Sequence, residues 1–457
     1  MVKSILVPTL LYVGFGLFPL SITYGVEIVK DERLAVVANN LEGQLNLYDE
    51  DPEHLWNRLH RALFLRTRKD GTQQIHETDP FLYPRSKFLL EGESHQGAIK
   101  VLDEFLAAKM DAHPLKRLML QRDLWASFDY VAWYPDDWVH HTHHEPAAME
   151  LRKRLSSAIA KIALSDAEMT ALPDNYTMAV REKAFANRFS STKLDAPFLP
   201  ADLFDPAGAW VPCAEVASAY PTHPTTQEHL IAVGGRAAHV VLLNLPGGRA
   251  VTERYLRDLT RDNYNQFPSG TAVALLRRAL AVGTDNRLHI TPITEGLQIR
   301  VYHRVGEIQP NQLFQASSPD DQTVFEFSLE RSKLFSGEHG LRAVGPDEPA
   351  QPFARDDSDP FERPLPRPAE SSDDSPLPKL DRQLQVCLGC HQGPGVYSLI
   401  SVRRALERST RVTSASGEYV ALQAFRNYTL DALLTWTLRA KVNRYDWGLL
   451  QGMLEKL

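Results

Sequence analysis

A segment rich in proline and acidic residues limits what the rest of this chain can fold into. Residues 345–378 have the sequence GPDEPAQPFARDDSDPFERPLPRPAESSDDSPLP, which contains almost no aliphatic side chains. Such a segment cannot bury enough apolar surface to offset the entropy lost on ordering. We therefore predict a disordered linker over residues 345–378, with a large body before it and a short segment, residues 379–457, after it.

The first part of the body has the hydrophobic periodicity of helices. Residues 113–133 and 146–164 carry apolar side chains at three- and four-residue steps, which predicts two amphipathic helices. Ser165 and Glu168 have the spacing of a capping box, which predicts the start of a further short helix. We predict a helical domain over residues 26–190.

The second part of the body has strand patterns. Residues 237–245 form a β-rich run that ends at Pro-Gly-Gly, and residues 272–290 contain two strand patterns around a Gly-Thr-Asp-Asn turn. Residues 297–305 alternate apolar and polar side chains, which predicts another strand. We predict a mostly antiparallel β-rich domain over residues 191–344.

The beginning of the chain has the features of a secretory signal peptide over residues 1–25. Lys3 precedes an apolar run, and Thr23 and Gly25 are small residues at −3 and −1 of a cleavage point. A permanent membrane anchor is the alternative, but glycine and proline interrupt the run, which is short for a span of ~20 residues. We predict export, a periplasmic or otherwise extracytoplasmic location, and no integral membrane span in the mature chain. The formal net charge of −7 argues against a nucleic-acid partner.

Two of the three cysteines stand three residues apart, and a histidine follows the second. Cys387, Cys390 and His391 form the pattern C-x-x-C-H, the attachment site of c-type haem. On one helical turn the two thiols can add to the vinyl groups of one porphyrin, while the imidazole reaches the iron from the same side. The pattern predicts one covalent haem c with His391 as the proximal iron ligand.

Chance, a redox-active cysteine pair and a zinc site are the alternatives to haem attachment at the C-x-x-C-H pattern. Chance is disfavoured because cysteine is rare in this chain, and a redox-active C-x-x-C pair or disulfide usually lies in a βαβ context that the sequence around residue 387 lacks. A structural zinc site needs a fourth ligand, which the flanking sequence does not supply. The remaining cysteine, Cys213, is interpreted as a small buried hydrophobic residue.

With the glycine-rich QGPG that follows the motif, residues 379–457 resemble a small c-type cytochrome domain. The resemblance covers under a fifth of the chain and implies an α-helical haem domain, His391 as proximal ligand, and electron transfer with a redox partner protein. Helices are predicted over residues 419–441 and 447–455. The family commonly supplies a distal methionine, for which Met453 is the candidate. The alternative is that Met453 only packs in a terminal amphipathic helix, because no terminal helix can follow it.

A histidine cluster is a further candidate site. His140, His141, His143 and His144 lie close together in the sequence, and His140 and His144, if helical, would share a face and could hold a divalent metal or reach the haem iron. Exposed loop histidines that only titrate are the alternative.

In the β-rich part, His239 and His303 fall on apolar strand faces and are interpreted as core histidines. Gln266, Arg277 and Arg300 could line a site there, although nothing in their spacing requires it. The sequence contains no signature of a serine hydrolase, a P-loop, a dinucleotide-binding loop or a zinc protease.

These patterns together predict an α+β multidomain protein with an N-terminal helical domain, a central mostly antiparallel β-rich domain and a small C-terminal helical haem domain. The function predicted is that of an exported monohaem c-type cytochrome-like protein that transfers electrons. One alternative is a peroxidase-like haem oxidoreductase with an open distal site. The other is an extracytoplasmic interaction protein in which the motif is vestigial or a disulfide.

Overall fold

A computed structural model describes the following parts of the chain: residues 45–67, 73–74, 89–110, 112–132, 145–217, 236–258, 266–305, 321–346, 348, 384, 395–396, 398, 422–427 and 429–457. The predicted signal peptide, the histidine cluster at residues 140–144, the linker after residue 348 and the haem motif lie outside these described residues.

The two helices that the hydrophobic periodicity predicts over residues 113–133 and 146–164 are confirmed, and the structure adds helices that no sequence pattern predicted individually. In chain order they are α1 Leu55–Phe64, α2 Gly92–Ala107, α3 Pro114–Ala132, α4 Glu145–Lys161, α5 Asp166–Thr170, α6 Asn175–Arg181, α7 Arg249–Asp258, α8 Arg331–Phe335, α9 Leu430–Val442 and α10 Tyr445–Leu454. The predicted capping box is confirmed at the start of α5. The Glu168 amide donates to the Ser165 hydroxyl at 3.3 Å, and the Ser165 amide donates to the Glu168 carboxylate at 2.9 Å.

The strands form one two-stranded and one seven-stranded sheet in the described part of the chain. They are β1 Arg66–Thr67, β2 Gln73–Gln74, β3 Val211–Ala217, β4 Ala237–Asn244, β5 Ala272–Val282, β6 Leu288–Tyr302, β7 Gln322–Leu329, β8 Leu341–Ala343 and β9 Leu422–Asn427. The larger sheet has the order β8-β7-β6-β5-β4-β3-β9, and its paired strands are all antiparallel. The predicted combination of helices with a mostly antiparallel sheet is therefore confirmed.

Two predicted elements have different bounds in the structure. The second hairpin strand and the strand predicted over residues 297–305 are one continuous strand, β6, which is bent by a bulge where it pairs with β5. The helix predicted over residues 419–441 begins only at Leu430, and Leu422–Asn427 is instead the edge strand β9. Pairing with β3, which lies far away in the sequence, decides the conformation of Leu422–Asn427.

The sheet has two buried faces. Because strand side chains alternate, Val240 and Leu242 of β4 face a core shared with the helices, whereas Val241 and Leu243 face the opposite side. We call the side towards the helices the helix face and the other side the second face. β4 is a nearly continuous run of apolar residues, a pattern more typical of parallel sheets, because both of its faces are buried.

The core on the helix face extends over segments that the sequence assigns to different domains. It includes Leu118 of α3, Leu276 of β5 and Leu450 of α10. The predicted β-rich segment and the predicted helical segment thus share one core with the two terminal helices. At the start of the predicted linker, Glu348 is held by Arg342 through two hydrogen bonds of 2.6 and 2.8 Å.

None of the helices in the described ranges combines the length and the apolar character needed to span a membrane.

Candidate functional site

The residues predicted to hold haem, Cys387, Cys390 and His391, lie outside the described residues, so their role stays a prediction. The structure does place the residues that follow the motif. Val396 and Ser398 are 0% and 1% exposed and lie on the second face of the sheet. We therefore take as the candidate site the residues on the second face of the sheet that contact Val396 and Ser398.

The anchor is an apolar cluster, which we call the second-face cluster. Its buried members come from the four strands β3 to β6, from α7 and from connecting segments: Val211, Cys213, Val241, Leu243, Leu245, Leu256, Phe267, Val273, Tyr302 and Val396. Burying a valine side chain contributes about 1.5–3 kcal/mol, so Val396 is a strong hydrophobic contribution to holding this segment.

Polar contacts fix the same segment in a defined position. The Val396 amide donates a 2.8 Å hydrogen bond to Oε1 of Gln266, and this oxygen also accepts from the Phe267 amide at 3.2 Å. The Ser398 hydroxyl is hydrogen-bonded to the Tyr302 hydroxyl. The segment is thus clamped at two points, one in the loop before β5 and one at the end of β6.

Gly395 is required by this clamp for two reasons. Its φ of +53° lies in the left-handed region, which side chains other than glycine rarely adopt. A Cβ at this position would also overlap Oε1 of Gln266. The last glycine of the QGPG stretch therefore permits close approach of the backbone to Gln266.

The clamp limits where the haem motif can be. His391 precedes Val396 by five residues, and a fully extended chain spans at most ~3.3–3.6 Å per residue. The covalent chain therefore allows at most roughly 18 Å between the His391 backbone and the Val396 backbone.

The second face also carries polar side chains beside the apolar cluster. In the register of the sheet, Arg277 of β5 pairs with His239 of β4 and with Gly296 of β6, and Arg300 lies on the same face of β6. Nε of Arg300 donates to Gln298 at 2.9 Å. Arg277 and Arg300, together with Gln266 of the clamp, were the polar residues that the sequence suggested for a site. The structure places these three on one side of the sheet.

Cys213 is confirmed as a small buried residue of the apolar cluster. Its thiol is free and 1% exposed, and burial raises its pKa to about 12. A thiol with a raised pKa is a poor nucleophile. Cys213 therefore contributes packing to the second-face cluster.

Met453, the candidate distal ligand, lies in α10, which packs against α3 and α4. Its side chain is partly buried against the core on the helix face, whereas Val396 is buried on the second face. The sheet thus separates Met453 from the anchored segment. Its role as iron ligand stays a prediction, and its observed packing supports the alternative interpretation.

The two histidines predicted to be structural have protein partners. His239 is 1% exposed, and its Nδ1 lies 3.1 Å from the Ala237 carbonyl oxygen. His303 follows β6, where its Nε2 lies 2.6 Å from the Thr323 hydroxyl and its ring stacks on Phe189. Burial, with the nearby Arg304 charge, lowers the pKa of His303 and favours the neutral ring.

Two buried ionic clusters were not predicted from the sequence. In the first, the Asp123 carboxylate accepts from Arg331 at 2.7 Å and from the Tyr48 hydroxyl at 2.5 Å, and His60 lies 3.8 Å away. These side chains join α3 to α1, to α8 and to the segment before α1. The sequence signal that could have indicated this cluster is that the acidic residues of α3 are surrounded by apolar residues of the same helix.

The second cluster joins the end of the chain to α3. Lys441 lies 3.1 Å from Asp446 and 3.4 Å from Asp129, which also binds Arg236 at 2.7 Å. The Lys441 ammonium lies 5.0 Å from the ring centroid of Trp125. Burial lowers the pKa of Lys441, although both carboxylates act in the opposite direction. Both clusters hold helices together on the helix face.

Within the described ranges, no group of three or more histidine, cysteine, aspartate or glutamate side chains is arranged to hold a metal ion. Comparisons with protein-family models, with curated proteins and with solved structures found no match to this chain.

Proposed function

We propose that this chain is an exported protein that binds one haem c covalently and transfers electrons to or from a redox partner protein. The observation that carries the proposal is the C-x-x-C-H pattern of Cys387, Cys390 and His391. When bound, the haem supplies one-electron chemistry at its iron. In the proposal, the two thiols hold the porphyrin and His391 binds the iron as proximal ligand.

The described residues support this proposal because they fit the chemistry of a porphyrin. A porphyrin is a large apolar ring with two carboxylates at one edge, and sites for such groups combine apolar walls with a few polar side chains. Leu275, which is only partly buried, provides an apolar edge of the second-face cluster, and Arg277 next to it has a buried Nε without a hydrogen-bond partner. We infer that the haem segment is docked on the body of the protein through Val396 and Ser398.

This docking refines the predicted domain layout. The segment proposed as the haem domain, residues 379–457, itself contains strand β9 at the edge of the main sheet and the helices α9 and α10 in the shared core. In the proposal, the linker therefore joins two parts that are also tied together at residues 395–398 and at β9. In the proposal, the haem lies against the sheet and exchanges electrons with a partner protein at the surface.

A second function is favoured by the position of Met453. If Met453 stays in the core on the helix face, the iron has no distal methionine, and an open iron can bind small molecules or react with peroxide. This is the peroxidase-like alternative. The reduced visible spectrum separates the two functions, because a six-coordinate carrier is low-spin and an open iron is high-spin.

The experiment is production of the full chain with a cytochrome c maturation system, followed by intact-mass measurement and visible spectroscopy. We expect the mass of one covalent haem in the parent protein. The Cys387→Ala/Cys390→Ala variant should lack it, whereas the matched control Cys213→Ala should retain it. A correctly exported parent chain without added haem mass refutes the proposal. Met453→Leu then tests the distal ligand: an unchanged low-spin spectrum excludes Met453 as ligand.

A further inference from the structure

Arg277 is a charged side chain in the central strand of the seven-stranded sheet, and the described residues give it no counter-charge. It is half-buried, its Nε is inaccessible to solvent and has no hydrogen-bond partner, and none of the described carboxylates forms an ion pair with it. A buried donor without a partner costs about 1–3 kcal/mol, and more when the group is charged.

Other buried arginines of this protein show what a structural arginine looks like here. Arg122 lies 2.6 Å from Glu295, and Arg331 lies 2.7 Å from Asp123. Arg278, the next residue of the same strand, faces the helices, where it lies 3.8 Å from Asp174 and covers the ring of Phe204 at 4.5 Å. A buried Nε without a hydrogen-bond partner is also found in Arg278 and Arg331, so Arg277 differs from these residues in that no described carboxylate forms an ion pair with it.

The surroundings of Arg277 suit an amphipathic anion. Its guanidinium lies over Gly296, where a Cβ would be only 3.2 Å from Nε, so the glycine makes room for the group. Along the same face, Leu275 and Val273 follow on β5, and Val241 pairs with Leu275. Arg277 therefore stands at the border of the second-face cluster, and Arg300 of β6, opposite Val273, is a second cation on this face. Arginine is suited to bind carboxylates with two parallel hydrogen bonds.

We propose that Arg277 binds the carboxylate of an amphipathic ligand whose apolar part packs beside Leu275, at the partly exposed edge of the second-face cluster. The carboxylate has two sources to be distinguished: a propionate of the haem attached at Cys387 and Cys390, or the acid group of a free apolar molecule. The first source rests on the proposed function, and the second does not.

The first arm of the test uses the full chain loaded with haem. The reduction potential is measured against pH for the parent, for Arg277→Gln and for the matched control Arg278→Gln. Removal of an arginine beside a carboxylate raises the pKa of that carboxylate by about 1–3 units, so the pH-dependent step should move upward by this amount in Arg277→Gln alone. Arg277→Lys keeps the charge, so its pH-dependent step should lie close to that of the parent.

The second arm uses the full-length Cys387→Ala/Cys390→Ala variant with octanoate as probe. Saturable thermal stabilisation by octanoate, weakened about ten-fold or more by Arg277→Gln but kept in Arg278→Gln, identifies a free carboxylate ligand. A response only in the first arm identifies the propionate. If Arg277→Gln matches its control in both arms, the proposal is overturned. If no haem is attached at all, the proposed function fails, while the octanoate arm still decides the role of Arg277.

Discussion

Replacement of Gly395 by alanine tests whether the clamp holds the haem segment as described. The substitution adds one methyl group to a residue with φ +53°, at a point where that methyl group would overlap Oε1 of Gln266. Because Oε1 is at the end of a flexible side chain, Gln266 can move aside. It then loses the hydrogen bond from the Val396 amide.

The expected cost is the sum of two effects. A side-chain-bearing residue in the left-handed region costs about 1–2 kcal/mol. Loss of one hydrogen bond costs about 0.5–1.5 kcal/mol, so the local opening free energy at Val396 should fall by about 1.5–3.5 kcal/mol. Since each 1.4 kcal/mol is a factor of ten, this corresponds to roughly 10- to 300-fold faster hydrogen exchange of the Val396 amide.

The assay is native-state hydrogen exchange of residues 395–398 in the full chain, read by mass spectrometry. Gly337→Ala is the matched control, because Gly337 also has a positive φ, +90°, but a Cβ there meets no atom within 4 Å. Gly337→Ala should leave exchange at Val396 unchanged. Gln266→Ala should reproduce the hydrogen-bond part of the effect without the backbone strain. Exchange at Val396 that is equally fast in parent and Gly395→Ala protein would refute the clamp.

Three further predictions concern groups whose environment the structure defines. Asp123→Ala leaves Arg331 buried without its carboxylate and should lower the free energy of unfolding by about 3–5 kcal/mol in guanidinium titrations. Burial raises the pKa of Asp446, but Lys441 and Arg444 outweigh this effect and lower the pKa to about 2. The ionised carboxylate therefore contributes on the order of 2 kcal/mol to the free energy of unfolding above about pH 4, and this contribution is lost as the pH falls towards 2. Asp446→Asn should remove this part of the acid dependence. Cys213, with its pKa raised to about 12, should resist alkylation at pH 8 until the protein unfolds.

Each of these predictions has a control and a contrary outcome. For Asp123 the control is Asp103→Ala, because Asp103 also binds an arginine at 2.7 Å but is exposed and should cost under about 1 kcal/mol. Equal losses for the two variants would contradict the role of burial. An acid unfolding curve unchanged by Asp446→Asn would contradict the lowered pKa. Alkylation is followed in the Cys387→Ala/Cys390→Ala background, and labelling of Cys213 faster than unfolding would show that its thiol is accessible.

The candidate site could be predicted only in part. The motif of Cys387, Cys390 and His391 is visible in the sequence because covalent haem attachment needs a fixed local spacing. The partners of the segment after it are not visible, because Gln266 and Tyr302 are 130 and 96 residues away from Val396 and Ser398 in the chain. Arg277 is recognisable as a polar residue of the β-rich part, but only the tertiary structure shows that none of the described carboxylates pairs with it.

The sequence by itself determined the features that depend on neighbouring residues: the amphipathic helices α3 and α4, the capping box at Ser165, and the turn between β5 and β6. Hydrophobic periodicity and capping act within a few residues, so a local pattern is sufficient for them. Only the tertiary structure decided that Leu422–Asn427 is an edge strand, that α9 and α10 enter the shared core, and that the two faces of the sheet carry different chemistry. These features depend on hydrogen bonds and apolar burial between segments far apart in the chain, whose free energy no local pattern records.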